Sequence, residues 1–238
     1  MRRDPGGHSK QPGKHGALYY LAQAILAIET HLFPYRAIPE VRRIFETLAP
    51  HMKDRALGRL FSDVEGNWEA LLPVIDGDPA LASMFHTTMV ATMCHGSEAA
   101  NILPEEASIT VNCRLLAGDT VESTQAYIES ILPEGMEVRL IKGIDPTPMS
   151  RTDSRLYGIL AALWRDKYPD LLVLPDMMTG GTDARFMDPI SDSVYRFRTY
   201  DICDVPRRIH SVNEVFCVDN LPTGPEALIR VLMAYGGE

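Results

Sequence analysis

Two histidines stand in short polar segments whose residue types suit metal binding or proton transfer. His8 follows a pair of glycines in GGHS, and His210 lies in RRIHSVNE, just before the apolar run VFCV. An imidazole ring can ligate zinc or carry a proton near neutral pH. Each residue also has an ordinary interpretation, His8 as part of a poorly ordered terminus and His210 as a surface side chain. The residues alone leave these alternatives open.

Two further segments carry groups that suit an anionic ligand. In the loop GGTD, Gly180 and Gly181 let the backbone come close to a ligand and offer it N–H groups. A helix beginning at Thr182 or Asp183 would add its N-terminal dipole. The lysine of a phosphate-binding loop is missing from this segment. An ordinary glycine turn with a helix cap is the alternative.

Asn101 and Arg114 form the other candidate pair. Asn101 precedes Ile-Leu-Pro, and Arg114 falls on the polar side of an alternating run about a dozen residues later. An exposed arginine on a sheet can bind a carboxylate through two hydrogen bonds. A surface salt bridge is the alternative for a single arginine.

The surrounding elements indicate an α+β arrangement in the first part of the chain. Residues 107–116 alternate apolar and polar side chains, as in a half-buried strand. The run 16–30, rich in Ala and Leu with almost no polar face, predicts a buried helix. The predicted helices cover 16–30, 39–48 and 120–131, and the predicted strands cover 87–93, 107–116 and 136–142. This order suits an antiparallel sheet with helices on one face.

After a proline-containing linker at 143–152, the pattern becomes typical of an α/β fold. An amphipathic helix at 153–168 precedes an all-apolar strand at 171–174, as expected for a strand that is buried on both faces. A strand at 193–197 and a final helix at 222–235 follow the glycine loop.

Composition excludes several classes of protein. Hydrophobic residues make up 45% of the 238 residues, charged residues make up 23%, and the formal net charge is -9. These values indicate a globular chain and argue against a nucleic-acid partner, which favours a basic surface. No apolar run is long enough for a membrane span, and MRRDPGGHSK lacks the apolar core of a secretion signal. Four cysteines without C-x-x-C spacing fit a reducing, cytoplasmic location.

Taken in order, four segments resemble one enzyme family. GGHSKQP, NILPEEASITVNCRLLAGDT, GGTDARF and HSVNE are similar to the zinc exopeptidases that include glutamate carboxypeptidase, aminoacylase, succinyl-diaminopimelate desuccinylase and yeast-type carboxypeptidase S. The likeness covers nearly the whole chain and is most specific at 96–120. It implies an α+β lid (dimerisation) domain at 1–149, with a helical insertion at about 34–86 in the style of carboxypeptidase S. It also implies that 150–238 form the C-terminal part of an α/β catalytic domain.

The resemblance then implies a role for each candidate residue. The family's two zinc ions activate a water that attacks an amide next to a free carboxylate. His210 would match a zinc ligand, and His8 would match the lid histidine that reaches across the dimer to steady the oxyanion. The implied carboxylate contacts are Asn101, Arg114, Gly180, Gly181, Thr182 and Arg185. The implied partners are a second copy of the chain and a peptide or N-acyl amino acid.

The sequence also departs from the family's pattern. None of the seven histidines is followed two residues later by Asp, and the only Glu-Glu pair is Glu105-Glu106, inside the lid motif. We therefore expect a fragment without the N-terminal metal-binding half, with no tight zinc site and no activity alone, and with an exposed apolar face on 150–238. Two alternatives remain: a non-catalytic dimerisation module, and an unrelated α/β protein with chance motifs.

Overall fold

A computed structural model describes residues 1–178, 181–197, 199, 212–218 and 221–237. The chain divides into two compact units, Met1–Thr147 and Pro148–Glu238. We call Met1–Thr147 the first unit and Pro148–Glu238 the second unit.

The first unit contains five described strands: β1 (Arg2–Arg3), β2 (Gly7–His8), β3 (Thr88–His95), β4 (Ile102–Leu103) and β5 (Glu106–Arg114). Three of them form an antiparallel sheet with the order β1-β5-β3. A smaller sheet pairs β2 with β4, also antiparallel. The strands predicted at 87–93 and 107–116 are therefore confirmed as β3 and β5.

Helix α1 (Ala17–Thr30) covers one face of the sheet. Ala17 and Leu21 pack with Ala107 of β5, and Ile109 contacts the same cluster. Arg114 is an odd number of positions from Ala107, so it faces away from α1. α6 (Val121–Ile131) begins at the Thr120 cap and contacts α1.

The prediction that α1 is buried holds for only one of its faces. Leu18, Ala22 and Leu26 are exposed on the other face. They are spaced four residues apart and therefore form one stripe along the helix. An apolar stripe of this kind is unusual on a surface that stays in contact with water.

The helical insertion, residues 34–86, forms a separate aromatic core. The ring of Phe45 stacks on Phe61 at 4.6 Å and on Phe85 at 5.4 Å between ring centroids. Its helices are α2 (Pro39–Leu48), a 3₁₀ turn (Ala49–His51), α3 (Arg55–Phe61), α4 (Trp68–Asp76) and α5 (Pro79–Ala82). Pro39 stands at the first position of α2, where its missing N–H costs nothing. The insertion therefore has a core of its own, beside the sheet.

The strand predicted at 136–142 does not form. Glu137 exchanges both backbone hydrogen bonds with Met1, each at 2.8 Å, but the ladder goes no further. The neighbouring strand β1 is only two residues long, so it offers too few backbone groups for a longer partner. Ile141 consequently remains 81% exposed.

The second unit contains α7 (Arg155–Lys167), a 3₁₀ turn (Asp183–Phe186) and α8 (Thr223–Gly236). Leu160, Ala161 and Ala227 are buried where α7 and α8 pack. The strands predicted at 171–174 and 193–197 are absent from the described residues. A buried strand needs hydrogen-bonding neighbours, and the described part of this unit offers no strand that could pair with either segment.

Apolar side chains are widely exposed in the described part of the second unit. The most exposed large ones are Val212, Ile190, Val218, Met233, Leu232, Leu221 and Phe186. This observation agrees with the apolar face expected for 150–238. None of the described helices is both long and apolar enough to cross a lipid bilayer.

Candidate functional site

His8 and Asn101 are brought together at one end of the first unit. The small sheet pairs His8 with Ile102, and the backbone N–H of Ser9 donates to the carbonyl of Asn101 at 2.9 Å. Both side chains are exposed. β2 follows β1, and β4 leads into β5, so this small sheet lies at the Glu106 end of β5. We call this region the His8 end.

The ring of His8 has a defined hydrogen-bonding direction. Its Nδ1 accepts the backbone N–H of Lys10 at 3.0 Å. In the neutral ring the proton is therefore carried on Nε2, which leaves Nε2–H as a donor. This is the form that an oxyanion-stabilising histidine requires.

Two glycines produce the turn that presents His8. Gly6 has φ +68° and Gly7 has φ +137°, both in the region that favours glycine. A Cβ on Gly6 would also lie 2.6 Å from Cγ of Glu105 and 3.1 Å from the carbonyl oxygen of Leu103. The GG dipeptide is therefore needed both for the backbone conformation and for the close approach to the β4–β5 connection.

The Glu105-Glu106 pair has structural partners in this region. The carbonyl of Glu105 accepts the backbone N–H of Asp4 at 2.9 Å. The side chain of Glu106 lies 3.6 Å from Arg3, which pairs with it across β1 and β5. These contacts fix the start of the sheet.

Arg114 stands at the opposite end of β5 from His8 and Asn101. β5 runs from Glu106 to Arg114, and eight steps of strand rise give about 26 Å between its ends. Arg114 is exposed and pairs in register with Thr88 at the start of β3. One protomer therefore does not bring Asn101 and Arg114 together on a single small ligand. We call this region the Arg114 end.

A side-chain cluster that the sequence analysis did not single out lies at the Arg114 end. Asp119 accepts a short hydrogen bond from the hydroxyl of Thr87 and lies 2.9 Å from Nη2 of Arg36. Thr87 Oγ1 in turn accepts the backbone N–H of Leu116 at 2.8 Å, and Arg36 donates to the carbonyl of Ala117 at 3.3 Å. The sequence pattern around Asp119 predicts only a turn, because the residues that contact its side chain are distant along the chain. We call these five residues the Asp119 cluster.

The glycine loop of the second unit gathers three of the predicted residues. Gly181 and Thr182 precede the 3₁₀ turn that contains Arg185, and Nη1 of Arg185 would lie 3.7 Å from a Cβ on Gly181. Nε of Arg185 is buried and lacks a hydrogen-bond partner among the described residues. Gly180 and His210, the latter predicted as a metal ligand, lie outside the described residues.

Arg196 also holds this loop, and the sequence analysis did not identify it. Its Nε donates to the hydroxyl of Thr182 at 3.3 Å, and its Nη2 lies 3.6 Å from the carboxylate of Asp188. One guanidinium group therefore contacts Thr182 and a second lies beside Gly181, an arrangement that suits a carboxylate. In the described ranges, no group of three or more His, Cys, Asp or Glu side chains is arranged to hold a metal ion. The described residues thus do not fit a zinc site.

Comparison with known proteins identifies the class to which this fold and these segments belong. The family described as "Peptidase dimerisation domain" matches residues 3–138. The chain belongs to this family, the dimerisation domain of metallopeptidase family twenty.

The curated relatives are carboxypeptidases and acyl-amino-acid hydrolases by name. "Probable carboxypeptidase S-like 2" of Dictyostelium discoideum is 26% identical over 90% of this chain and 42% of its own length. An "N-fatty-acyl-amino acid synthase/hydrolase" of Danio rerio is 29% identical over 91% of this chain and 43% of its own. "Carboxypeptidase S" of Saccharomyces cerevisiae is 24% identical over 88% and 43%. The chain thus spans less than half the length of these relatives. No solved structure matches it.

Proposed function

We propose that this chain is part of a two-zinc exopeptidase or amidohydrolase that cleaves an amide bond next to a free carboxylate. Its own contribution is dimerisation through the first unit and the holding of the substrate. Two findings support the reaction class: the match to the peptidase dimerisation domain and the names of the relatives. Zinc is typical of the family, and no step of the metal chemistry is assigned to the residues described here.

The family match is the single observation that carries the reaction class, and the separation of the candidate residues along β5 bears on how the site is assembled. His8 and Asn101 lie beside one end of β5, and Arg114 lies at its other end, about 26 Å along the strand. If all three serve one substrate, they come from two protomers. We infer that His8 and Asn101 of one protomer complete a site to which its partner contributes Arg114. Nε2–H of His8 then faces the developing oxyanion, and Arg114 binds the carboxylate.

A surface suited to such a dimer lies beside the sheet. Among the described strands, none pairs with the outer edge of β3. The apolar stripe of α1, formed by Leu18, Ala22 and Leu26, runs over the same sheet, and Leu18 would lie 2.8 Å from a Cβ on Gly96, just after β3. An open strand edge beside an apolar helix stripe is a self-complementary surface for a twofold dimer.

The substrate class follows from the same groups. Arg114 in the first unit and, separately, Arg185 in the second unit are each of a residue type that suits a terminal carboxylate. We propose peptides or N-acyl amino acids as substrates. In the glycine loop, we assign the contacts to the carboxylate to Gly180, Gly181, Thr182 and Arg185. His210 is the proposed zinc ligand.

A ligand-binding experiment tests the composite site without requiring catalysis. N-benzoylglycine is dialysed against the wild-type dimer, the Arg114→Ala dimer, the Asn101→Ala dimer and a mixed dimer. The mixed dimer contains one Arg114→Ala protomer and one Asn101→Ala protomer and is isolated with two affinity tags. We expect two bound molecules per wild-type dimer, none for either variant, and one for the mixed dimer. Two strong sites in the mixed dimer, or none, would overturn the composite arrangement.

The zinc affinity and the hydrolytic activity of the 238 residues by themselves can be tested separately from substrate binding. We propose that the 238 residues by themselves bind no pair of zinc ions tightly and do not turn over N-acyl amino acids. The sequence supports this, because it lacks a His-x-Asp motif and because its only Glu-Glu pair lies inside the lid motif. Calorimetric zinc titration with an amidohydrolase assay checks it. Submicromolar binding of two ions together with turnover would contradict it.

A non-catalytic dimerisation module is the second candidate function. It is favoured by the position of the family match, which falls on the first unit, and by that unit's own buried core. A dimer that takes up no N-benzoylglycine would support this module over the hydrolase.

A further inference from the structure

The Asp119 cluster joins the helical insertion to the strand end from which Arg114 extends. Arg36 stands at the start of the insertion, and its backbone N–H donates to the carbonyl of Phe85 near the insertion's end at 2.7 Å. Its guanidinium reaches out of the insertion to Asp119 and Ala117. Thr87, the residue after the insertion, is 1% exposed. Both ends of the insertion are therefore attached to one turn.

The same turn fixes the end of β5. Leu116 follows Arg114 by two residues, and its backbone N–H is held by Thr87. Thr88, the next residue, pairs in register with Arg114. The side chain of Asp119 is only 14% exposed, and its carboxylate accepts a hydrogen bond from Thr87 and forms an ion pair with Arg36. A carboxylate with two fixed donors in a half-buried position restrains both chain segments that it joins.

We propose that Asp119 is a positioning residue for substrate recognition: through Thr87 and Arg36 it holds the strand end that aims Arg114 at the substrate's carboxylate. This inference rests on the proposed function for the role of Arg114. It assigns the helical insertion a part in that function, because a displacement of the insertion is transmitted to Arg114 through Arg36.

The sign of the effect separates positioning from simple electrostatics. Replacing Asp119 by Asn removes a negative charge from the same end of β5 as Arg114, which on charge alone strengthens the binding of an anion. Loss of positioning has the opposite effect, because only the fraction of molecules with Arg114 correctly aimed binds the ligand. If that fraction falls to a tenth, the apparent affinity falls about tenfold.

The test uses the full chain labelled with ¹⁵N, with N-benzoylglycine as the probe. The Nε–Hε signal of Arg114 reports both binding, by its shift during titration, and side-chain order, by its relaxation without ligand. We expect Asp119→Asn to lower the affinity about tenfold and to increase the mobility of Arg114. Glu122→Gln, which removes an exposed carboxylate from the first turn of α6, is the matched control and leaves both unchanged.

A further comparison keeps the inference testable if Asp119→Asn folds poorly. Thr87→Ser keeps the hydroxyl and retains wild-type affinity, whereas Thr87→Val removes the hydroxyl and resembles Asp119→Asn.

The outcomes distinguish this inference from the proposed function. If wild-type Arg114 does not respond to N-benzoylglycine, the proposed carboxylate role fails, and the relaxation data alone decide whether Asp119 orders Arg114. If wild-type Arg114 responds and Asp119→Asn binds as tightly or more tightly, only the positioning role is overturned. Unchanged mobility of Arg114 in Asp119→Asn and Thr87→Val overturns it as well.

Discussion

Leu26 provides the most direct test of the proposed dimer surface. It is 63% exposed on the outer stripe of α1, so roughly two-thirds of its side chain remains available for burial. Leu26→Ala removes three carbon atoms, and burial is worth about 0.8 kcal/mol for each CH₂. Because about two-thirds of the side chain is available for burial, Leu26→Ala loses about 1.5 kcal/mol of burial free energy per protomer. A twofold interface contains each residue twice, so the dimer loses about 3 kcal/mol.

This loss corresponds to an increase of about 100-fold in the dimer dissociation constant. Sedimentation velocity over a dilution series measures the constant directly. Leu232→Ala is the matched control, because Leu232 is even more exposed but lies on α8 of the second unit. We expect this control to dimerise like the wild type. A dissociation constant for Leu26→Ala within about threefold of wild type would refute the placement of the interface on α1.

Two further predictions concern the first unit. Gly6→Ala forces an alanine into φ +68° beside Glu105. We expect it to lower the free energy of unfolding by about 1–2 kcal/mol and to speed amide hydrogen exchange at His8. Gly13→Ala is the control, because a Cβ there meets nothing within 4 Å, and it leaves both quantities unchanged. Burial raises the pKa of the Cys113 thiol, whereas Cys94 is exposed. Iodoacetamide at pH 8 therefore alkylates Cys94 well before Cys113, as read by peptide mass spectrometry; equal rates would contradict the burial of Cys113.

Much of the first unit could be predicted from the sequence because its signals are local. The bounds predicted for α2 from Pro39 to Leu48 match the structure, since a proline start and a helical period are read within a few residues. The alternation in 107–116 likewise predicted β5 and the outward direction of Arg114. The Thr120 cap of α6 was visible in the same way.

The elements that were predicted wrongly depend on partners that a local pattern does not contain. The run 136–142 alternates like a strand, but its neighbour β1 ends after two residues. The run 171–174 is apolar enough for a buried strand, yet Leu171 and Leu172 are exposed. Apolarity shows that a segment favours burial, whereas pairing is decided by the backbone groups that lie beside it.

The arrangement of the candidate site shows the same limit. The family likeness placed Asn101 and Arg114 on one carboxylate, and only the length of β5 shows that one protomer holds them far apart. The Asp119 cluster joins residues 32 and 81 positions apart, which no periodic pattern reveals. Sequence reasoning singled out Arg114, the proposed carboxylate ligand, and missed Arg36, Thr87 and Asp119, which contact one another at the same end of β5.

The helical insertion should be stable within a defined range of pH. Burial lowers the pKa of His86, against smaller opposing effects from the carbonyl of Phe33 and from Asp76. Because the unfolded chain binds this proton more tightly, the stabilisation is complete above about pH 6.5 and is lost as the pH falls below that value.

The alkaline limit is set by Tyr35, whose ring lies 4.7 Å from that of His86. Burial and the hydrogen bond to Asp76 raise the pKa of Tyr35 to about 12. The unfolded chain releases this proton near pH 10, so the stabilisation is present below about pH 10 and is lost between there and about pH 12. The free energy of unfolding, measured with urea from pH 5 to 11, should therefore fall at both ends of this range. Tyr35→Phe removes the alkaline fall and keeps the acidic one; an unchanged alkaline limb in Tyr35→Phe would show that another group sets it.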